Sequence, residues 1–374
     1  MPERRKRLPE GPRLATAAER DDLGELMARC FGGAVRPRAR RQRWRPDLRG
    51  AWVIARGGKP VSHIKLVYNH LLIYGCRVKV ASIGGVCTHP DVRGQGIATE
   101  LLDHCISEAR SAGAALMIIS GGRGLYRRAQ AVNAGATLRA DIVQGAVRRG
   151  PSGCWARPAA ADDWPALARL YQQEPVRFVR SADFFAGALA RRHHGGAWTV
   201  GSAQGELAYL LLARDWSVGH DEPQRIVGEY AGSRAALVEA LPLILEQSGL
   251  KLISFDFPAH DRELAYLLTR QGIELARKTI RDHTIRLLDL PMLMRRLRPY
   301  VRARLSRNEA RQLSFEQGDS CVFRYGSEEH MLDLARSAAL VLGGPRAPRV
   351  RGEPGRALGS VFPIPLPLPG MNYV

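Results

Sequence analysis

The stretch Val86–Thr99, V-C-T-H-P-D-V-R-G-Q-G-I-A-T, decides the fold. An apolar run closes on Cys87-Thr88, and His89-Pro90-Asp91 supplies turn chemistry. Two glycines then precede Ile97, where helical spacing begins, so the segment predicts a strand, a glycine loop and the N-terminus of a helix. Such a junction suits a pyrophosphate, which needs convergent backbone N–H donors, no side chain in the way and the positive end of a helix dipole behind it. Gly94 and Gly96 give clearance, Gln95 to Thr99 give amides, and Arg93 adds a formal charge. Neither the dinucleotide fingerprint G-x-G-x-x-G nor the phosphate loop G-x-x-x-x-G-K-S/T fits this spacing.

Downstream, Ile97, Leu101, Leu102, Cys105, Ile106 and Ala109 predict an amphipathic helix over about Gln95–Ala112, stopped by Gly113 and followed by a buried strand, Ala115–Ile119. Upstream, Val78–Val86 and Leu71–Tyr74 read as strands, and Ala51–Ala55 with Pro60–Val67 as a hairpin turning at Gly57-Gly58. Thr16-Ala17-Ala18-Glu19 has the spacing of a capping box opening a helix that ends near Gly32-Gly33. The resulting order is an α/β (α+β) layered arrangement.

The chain also resembles itself. Ala18–Leu26 (AERDDLGEL) and Ala159–Leu167 (AAADDWPAL) match, and the second copy runs on through a hairpin (Ala197–Val200, Leu207–Leu212), a strand (Ile226–Tyr230), a helix (Ser233–Gln247) and a strand (Leu252–Phe257). Its strand-to-helix junction is Ala231-Gly232-Ser233-Arg234-Ala235, without Arg93 and the glycine pair, so it is not expected to bind the same ligand. The expected organisation is a disordered basic tail (1–12), a first domain carrying the glycine loop (13–150), a degenerate copy (151–288) and a small C-terminal domain (289–374). In the last, Met292 to Leu305 and Met331 to Val341 suggest helices, and Leu313–Glu316 with Cys321–Tyr325 a hairpin. The proline-rich tail from Phe362 to Gly370 is expected to be extended.

Composition narrows the function. No run approaches the roughly 18 apolar residues of a membrane span, and no export signal follows Met1, which makes cytoplasmic the expectation. The net charge is +20, but only six of the 56 basic residues are lysine and the arginines are spread along the chain. Nucleic acid is therefore disfavoured as a partner; the arginine- and Trp44-bearing stretch Arg36–Arg49 is a solvated loop or a patch for an anion. The six cysteines show no C-x-x-C pair and no histidine at ligand spacing, so neither a metal site nor a disulfide framework is expected.

The glycine loop resembles that of the GNAT superfamily of N-acetyltransferases, Q/R-x-x-G-x-G/A, matched by Arg93, Gly96 and Ala98. The resemblance implies acetyl-CoA as cosubstrate, no metal, and direct transfer to a primary amine; a non-catalytic CoA- or lipid-binding regulator is the alternative. It further implies that Val86, Cys87 and Thr88 pair with the pantetheine arm, that the Val86 amide faces the thioester carbonyl, and that Arg93 to Thr99 (Arg93, Gly94, Gln95, Gly96, Ile97, Ala98, Thr99) hold the pyrophosphate. In I-I-S-G-G-R-G-L-Y-R-R (Ile118–Arg128), Tyr126 stands where the family places a tyrosine that protonates the departing thiolate; packing over the CoA arm is its other reading. Ser120 is a candidate contact to the pantetheine, and Ala129-Gln130-Ala131 departs from the family's L-G-F. Cys87 reads as a small residue alternating into the core rather than an acyl carrier, and His63, His70 and His104 as structural histidines.

The three-part layout is similar to the enhanced-intracellular-survival type of aminoglycoside acetyltransferases. That implies a sterol-carrier-like C-terminal domain and a chain terminus, here Val374, that reaches back as the base. The acceptor expected is a small-molecule amine, with a protein or peptide amine as the other option; homo-oligomerisation stays open.

Overall fold

In the computed structural model the described residues are 10–31, 46–148, 153–192, 196–214, 225–279 and 283–372. They build two seven-stranded sheets and one three-stranded sheet. The first contains β1 (Glu10–Leu14), β2 (Ala51–Arg56), β3 (Lys59–Ile73), β4 (Cys76–Thr88) and β5 (Leu116–Ser120), and is closed at its far edge by β14 (His283–Leu287). Order starts earlier than position 13: Glu10 already pairs with Ala55, because β2 offers an open ladder edge. The rest of the expected basic tail, residues 1–9, lies outside the described residues, as do 32–45 of the arginine-rich stretch.

Two predicted strands, Pro60–Val67 and Leu71–Tyr74, are one long strand, since Tyr68, Asn69 and His70 continue the ladder with β4 by pairing with Ala81, Val80 and Lys79, which overrides the turn preference of Asn69. Thr16 and Glu19 form the anticipated capping box ahead of α1 (Arg20–Phe31). The second helix, α2 (Ile97–Ser111), packs its apolar stripe on the sheet against Ala81, Ile83, Met117 and Ile119. Alternation along the strands sends Val78, Val80 and Leu116 to the opposite face. After β5 comes the short α3 (Gly124–Arg128).

The chain then leaves this sheet. β6 (Ala136–Val143) enters the second sheet, whose order is β13-β6-β12-β11-β10-β9-β7. Its other strands are β7 (Trp155–Pro158), β9 (Ala197–Ser202), β10 (Gly205–Arg214), β11 (Arg225–Gly232), β12 (Leu252–Pro258) and β13 (Leu275–Thr279). β8 (Val176–Phe178) instead pairs with β3 of the first sheet. The two copies thus exchange strands: the first gives β6 and takes β14 and β8, so linear cuts near 150 and 288 do not separate the sheets. The signal was hidden because an exchanged strand has the same periodicity as one that stays.

The helices of the second copy are α4 (Trp164–Gln173), α5 (Ala182–Arg192), α6 (Arg234–Ser248) and α7 (Arg262–Arg270). The final region holds α8 (Leu290–Arg296), α9 (Arg298–Arg302), α10 (Arg307–Gln312), a meander β15 (Leu313–Gln317), β16 (Ser320–Tyr325), β17 (Glu328–Asp333), then α11 (Leu334–Leu342) and α12 (Gly352–Val361). Met331 lies on the third strand and not in a helix; Asp333 caps α11 by accepting from the Arg336 amide, which fixes the later start. This region shares one apolar cluster with the first sheet, joining Val78, Val80 and Ile285 to Leu293, Phe323, Val341 and Leu358.

The tail runs back over both copies and is fastened by a buried ion pair. Glu229 accepts from Arg180 through both oxygens at 2.7 Å, from the Tyr209 hydroxyl at 2.8 Å and from the Met371 amide at 3.1 Å. Arg180 Nε donates to Asn372 Oδ1 at 2.6 Å, and the Asn372 amide donates to Asn69 of β3 at 3.4 Å. With the Arg180 and Glu229 side chains only 2% and 8% exposed, removing one partner strands a buried charge, at a cost of about 3–5 kcal/mol. Glu229→Ala should accordingly lower the unfolding free energy by that amount, read from the midpoint of urea denaturation followed by tryptophan fluorescence.

Candidate active site

The site forms where two parallel strands part. β4 and β5 pair from Val80 with Leu116 to Ile83 with Ile119; beyond that β4 runs on to Thr88 with no strand of the described residues on that side. The cause of the divergence is in the other ladder. Gly84 pairs with Lys65 and Cys87 with His63, so Gly85 and Val86 together oppose Ile64 alone, as a bulge. Gly85 takes φ +60, where a side chain would be strained. The bulge leaves Val86 out of the β3 ladder register and re-aims its backbone. His63 holds the bulge from behind: its Nδ1 lies 2.9 Å from the Gly85 carbonyl oxygen, which requires the proton on Nδ1.

The gap is a cavity of about 430 Å³ lined by Val86, Cys87, Thr88, Arg93, Ala98 and Tyr126 among others. Six of the residues expected from sequence therefore converge on one space. Gly94, Gln95, Gly96, Ile97 and Thr99 are placed at its end, in the loop and first turn of α2, but do not line it. Ile97 is core, 3% exposed, so only its backbone can serve a ligand. Gly94 and Gly96 adopt φ +78 and +81, and a Cβ built on either meets no atom within 4 Å: the space in front of the loop is open. None of the amides from Gly94 to Ala98 makes a backbone hydrogen bond, whereas Thr99 and Glu100 return theirs to Gly96. The donors this loop offers an anion are therefore mainly backbone amides.

Tyr126 sits in α3, whose first turn closes by its amide donating to the Arg123 carbonyl at 3.0 Å. Its ring is 2% exposed and lies over Gly121, just past the end of β5. The helix stops at Arg128, and Gln130 turns left-handed at φ +58, so the departure at Ala129-Gln130-Ala131 alters the exit of the helix without displacing the tyrosine from the cavity. Ser120 is not among the lining residues; it pairs across to His283 of β14. Val374 lies outside the described residues. His70 and His104 are likewise not at the cavity.

Several lining or loop residues were not anticipated: Cys30 and Phe31 from the end of α1, and Arg123 and Leu125 beside Tyr126. Arg56 at the end of β2 donates to the Gln95 side chain at 2.8 Å, bringing another cation to the glycine loop. Arg93 Nε donates to the Thr88 carbonyl at 3.1 Å, which folds its guanidinium back along the loop. Arg123 stood in the sequence next to the tyrosine motif; Cys30 and Arg56 carried no signal, since only the packing of α1 and β2 brings them here.

The second copy repeats the divergence. β11 and β12 pair only from Arg225 with Ile253 to Val227 with Phe255. There the gap is furnished with the protein's own charges. Glu174 accepts from both terminal nitrogens of Arg234, at 2.6 and 2.7 Å, and from the Gly232 amide at 2.9 Å. Asp261 accepts from Arg234 at 3.0 Å and from the Tyr230 hydroxyl at 2.7 Å. A carboxylate already stands where an anion would approach the strand-to-helix junction.

Residues 12–130 match the acetyltransferase (GNAT) domain family. Those residues are a GNAT acetyltransferase domain. Its fold and that of the whole chain are similar to a GCN5-related N-acetyltransferase from Kribbella flavida (17% identity, 95% of this chain and 96% of that chain covered, TM-score 0.65). A GCN5-related N-acetyltransferase from Anabaena variabilis (16%, 88% and 89%, 0.63) and Eis1 from Mycobacterium abscessus (14%, 95% and 96%, 0.61) are similar as well. No curated protein sequence matches the chain. The GNAT domain supports an acyltransferase, and the likeness of fold extends over nearly the full length of the chain. Among the described residues there is no group of three or more metal-ligating side chains and no helix long and apolar enough to cross a membrane.

Burial pushes the His63 imidazolium pKa down to about 4. The neutral form is thus preferred by the folded state, and stability is fully present above the unfolded value near 6.5 and lost as pH falls toward 4, because the unfolded chain takes up the proton first. Across pH 7 to 4.5 the wild type should lose about 2–3 kcal/mol more than His63→Gln, a difference measurable by urea titrations at a series of pH values.

Proposed function

We propose that the protein transfers an acetyl group from acetyl-CoA to a primary amine, within the cavity between β4 and β5. The observation that carries this reading is the meeting of three features in one space: an unpaired strand edge, a glycine loop with free amides at a helix N-terminus, and a buried tyrosine.

The parts have separate duties. The pantetheine arm lies along Val86, Cys87 and Thr88 as a strand would, taking backbone hydrogen bonds that β5 no longer takes. Gly94 to Thr99 and Arg93 hold the pyrophosphate, with Arg56 and Gln95 as a rim. The Val86 amide, turned out of the β3 ladder by the bulge, donates to the thioester oxygen, where charge grows as the amine attacks; one such donor is worth about a hundredfold or more. The amine nitrogen bonds to the acetyl carbon, the carbon–sulfur bond breaks, and Tyr126 gives its proton to the thiolate.

The second copy and the tail form the acceptor side. Asn372, two residues before Val374, is held against Asn69 of β3, which itself donates to Ser82 of β4 at 3.5 Å. The tail thus touches β3, the strand paired with the one that carries Val86, and the residues that follow Asn372 are the proposed source of the base.

Two substitutions test the reading. CoA should raise the melting temperature of the wild type and leave Gly96→Glu unmoved, since a carboxylate would occupy the phosphate space. Tyr126→Phe should keep the CoA shift and lose about 10² to 10⁴ in turnover, measured as thiol release with a panel of amines. Unchanged CoA binding in Gly96→Glu rejects the donor site; thiol release from no amine, with CoA binding intact, favours a CoA sensor over an enzyme.

A further inference from the structure

The sequence shows six unrelated cysteines, but the fold brings two of them together inside the donor cavity. Cys30 is in the last turn of α1 and Cys87 is next to the end of β4, and both line the space beside Val86 and Arg93. They belong to one packing cluster, Cys87 buried and Cys30 half-buried. None of the other four cysteines lines this cavity.

The two thiols come to this space from elements packed on each other, Cys30 from α1 and Cys87 from β4. Cys30 Sγ also lies 3.5 Å from the Thr88 carbonyl oxygen, the atom that receives Arg93 Nε at 3.1 Å, so a guanidinium is parked beside the sulfur. The hydrogen bond from Cys87 and then the Arg93 charge lower the Cys30 thiol pKa to about 6. Cys87 moves the opposite way, through the same hydrogen bond and its burial. A thiol of lowered pKa beside a guanidinium and open to a cavity, with a second thiol lining the same cavity, is the arrangement of an attacking sulfur and a resolving one.

We propose that Cys30 and Cys87 are an oxidisable pair that hydrogen peroxide converts to a disulfide across the donor cavity. The inference rests on reading that cavity as the acetyl-CoA site. In the first step the Cys30 thiolate attacks one peroxide oxygen, the O–O bond breaks, and the second oxygen leaves as hydroxide, protonated to water. The Cys87 sulfur then attacks the sulfenic sulfur of Cys30; the S–O bond breaks, and that oxygen leaves as water with the Cys87 proton. Two thiols are oxidised and one peroxide is reduced to two waters. Drawing the sulfurs to a bond length of about 2 Å pins α1 onto β4 at the place where the pantetheine sulfur would lie.

The test uses the full chain, reduced and desalted, then exposed to hydrogen peroxide, alkylated and mapped by peptide mass spectrometry. The expected result is a loss of two hydrogen masses, a single Cys30–Cys87 cross-link, and disappearance of the CoA-induced melting shift, all reversed by dithiothreitol. Cys30→Ser should form no cross-link and give the same CoA response before and after peroxide. A missing cross-link, one mapped to other cysteines, or a cross-linked protein that responds to CoA as the reduced form does would overturn the proposal. If the reduced wild type ignores CoA, the donor-site reading fails, while the cross-link map and Cys30→Ser still decide the thiol pair.

Discussion

The interaction on which the site depends is one that stops. Parallel pairing between β4 and β5 ends at Ile83 and Ile119, because the bulge at Gly85-Val86 changes the course of β4 while β5 ends at Ser120. The candidate site in the first copy follows from that break: the strand edge with no partner among the described residues, the cavity between the strands, and the glycine loop placed at its end by α2. A helix and a tyrosine complete the space, but neither would face anything if the two strands stayed zipped.

The same break in the second copy has a different fate. Arg234, Glu174, Asp261 and Tyr230 satisfy one another within the gap, and the amide of Gly232 is spent on Glu174. Near it, Arg180 and Glu229 bind the tail. The gap here is a cavity of about 490 Å³ whose lining, Glu174, Tyr230, Gly232, Arg234 and Asp261 among others, carries charges that satisfy one another, and beside it Arg180 and Glu229 clamp the C-terminal segment. Buried ion pairs of this kind contribute little net stability but are costly to break singly, which fixes the clamp in one arrangement.

Much of this was legible in the chain. The glycine loop, the helix behind it and the alternation on β4 are local patterns, so Val86, Cys87, Thr88, Arg93, Ala98 and Tyr126 could be gathered into one site before any coordinates. The loss of that loop in the second copy was equally local. What could not be read was long-range choice. β6 and β14 have the alternation of any half-buried strand, and nothing in them states which sheet they join. Cys30 and Arg56 sit on elements whose sequence is concerned with the core, and reach the cavity only through packing. Ser120 stands next to that cavity in sequence, but the edge on which it pairs with His283 of β14 was not legible from the motif.

The exchange of strands bears on the order in which the chain can mature. Synthesis delivers β1 to β5 early, but the partner that closes the β5 edge is His283–Leu287, and the partners of β6 come only with the second copy. During translation, where domains ordinarily fold in turn from the N-terminus, the GNAT domain here would wait with an open edge, the kind that invites pairing with another chain. The half that carries the glycine loop is thus finished by the half that follows it, without which its sheet stays open at β5.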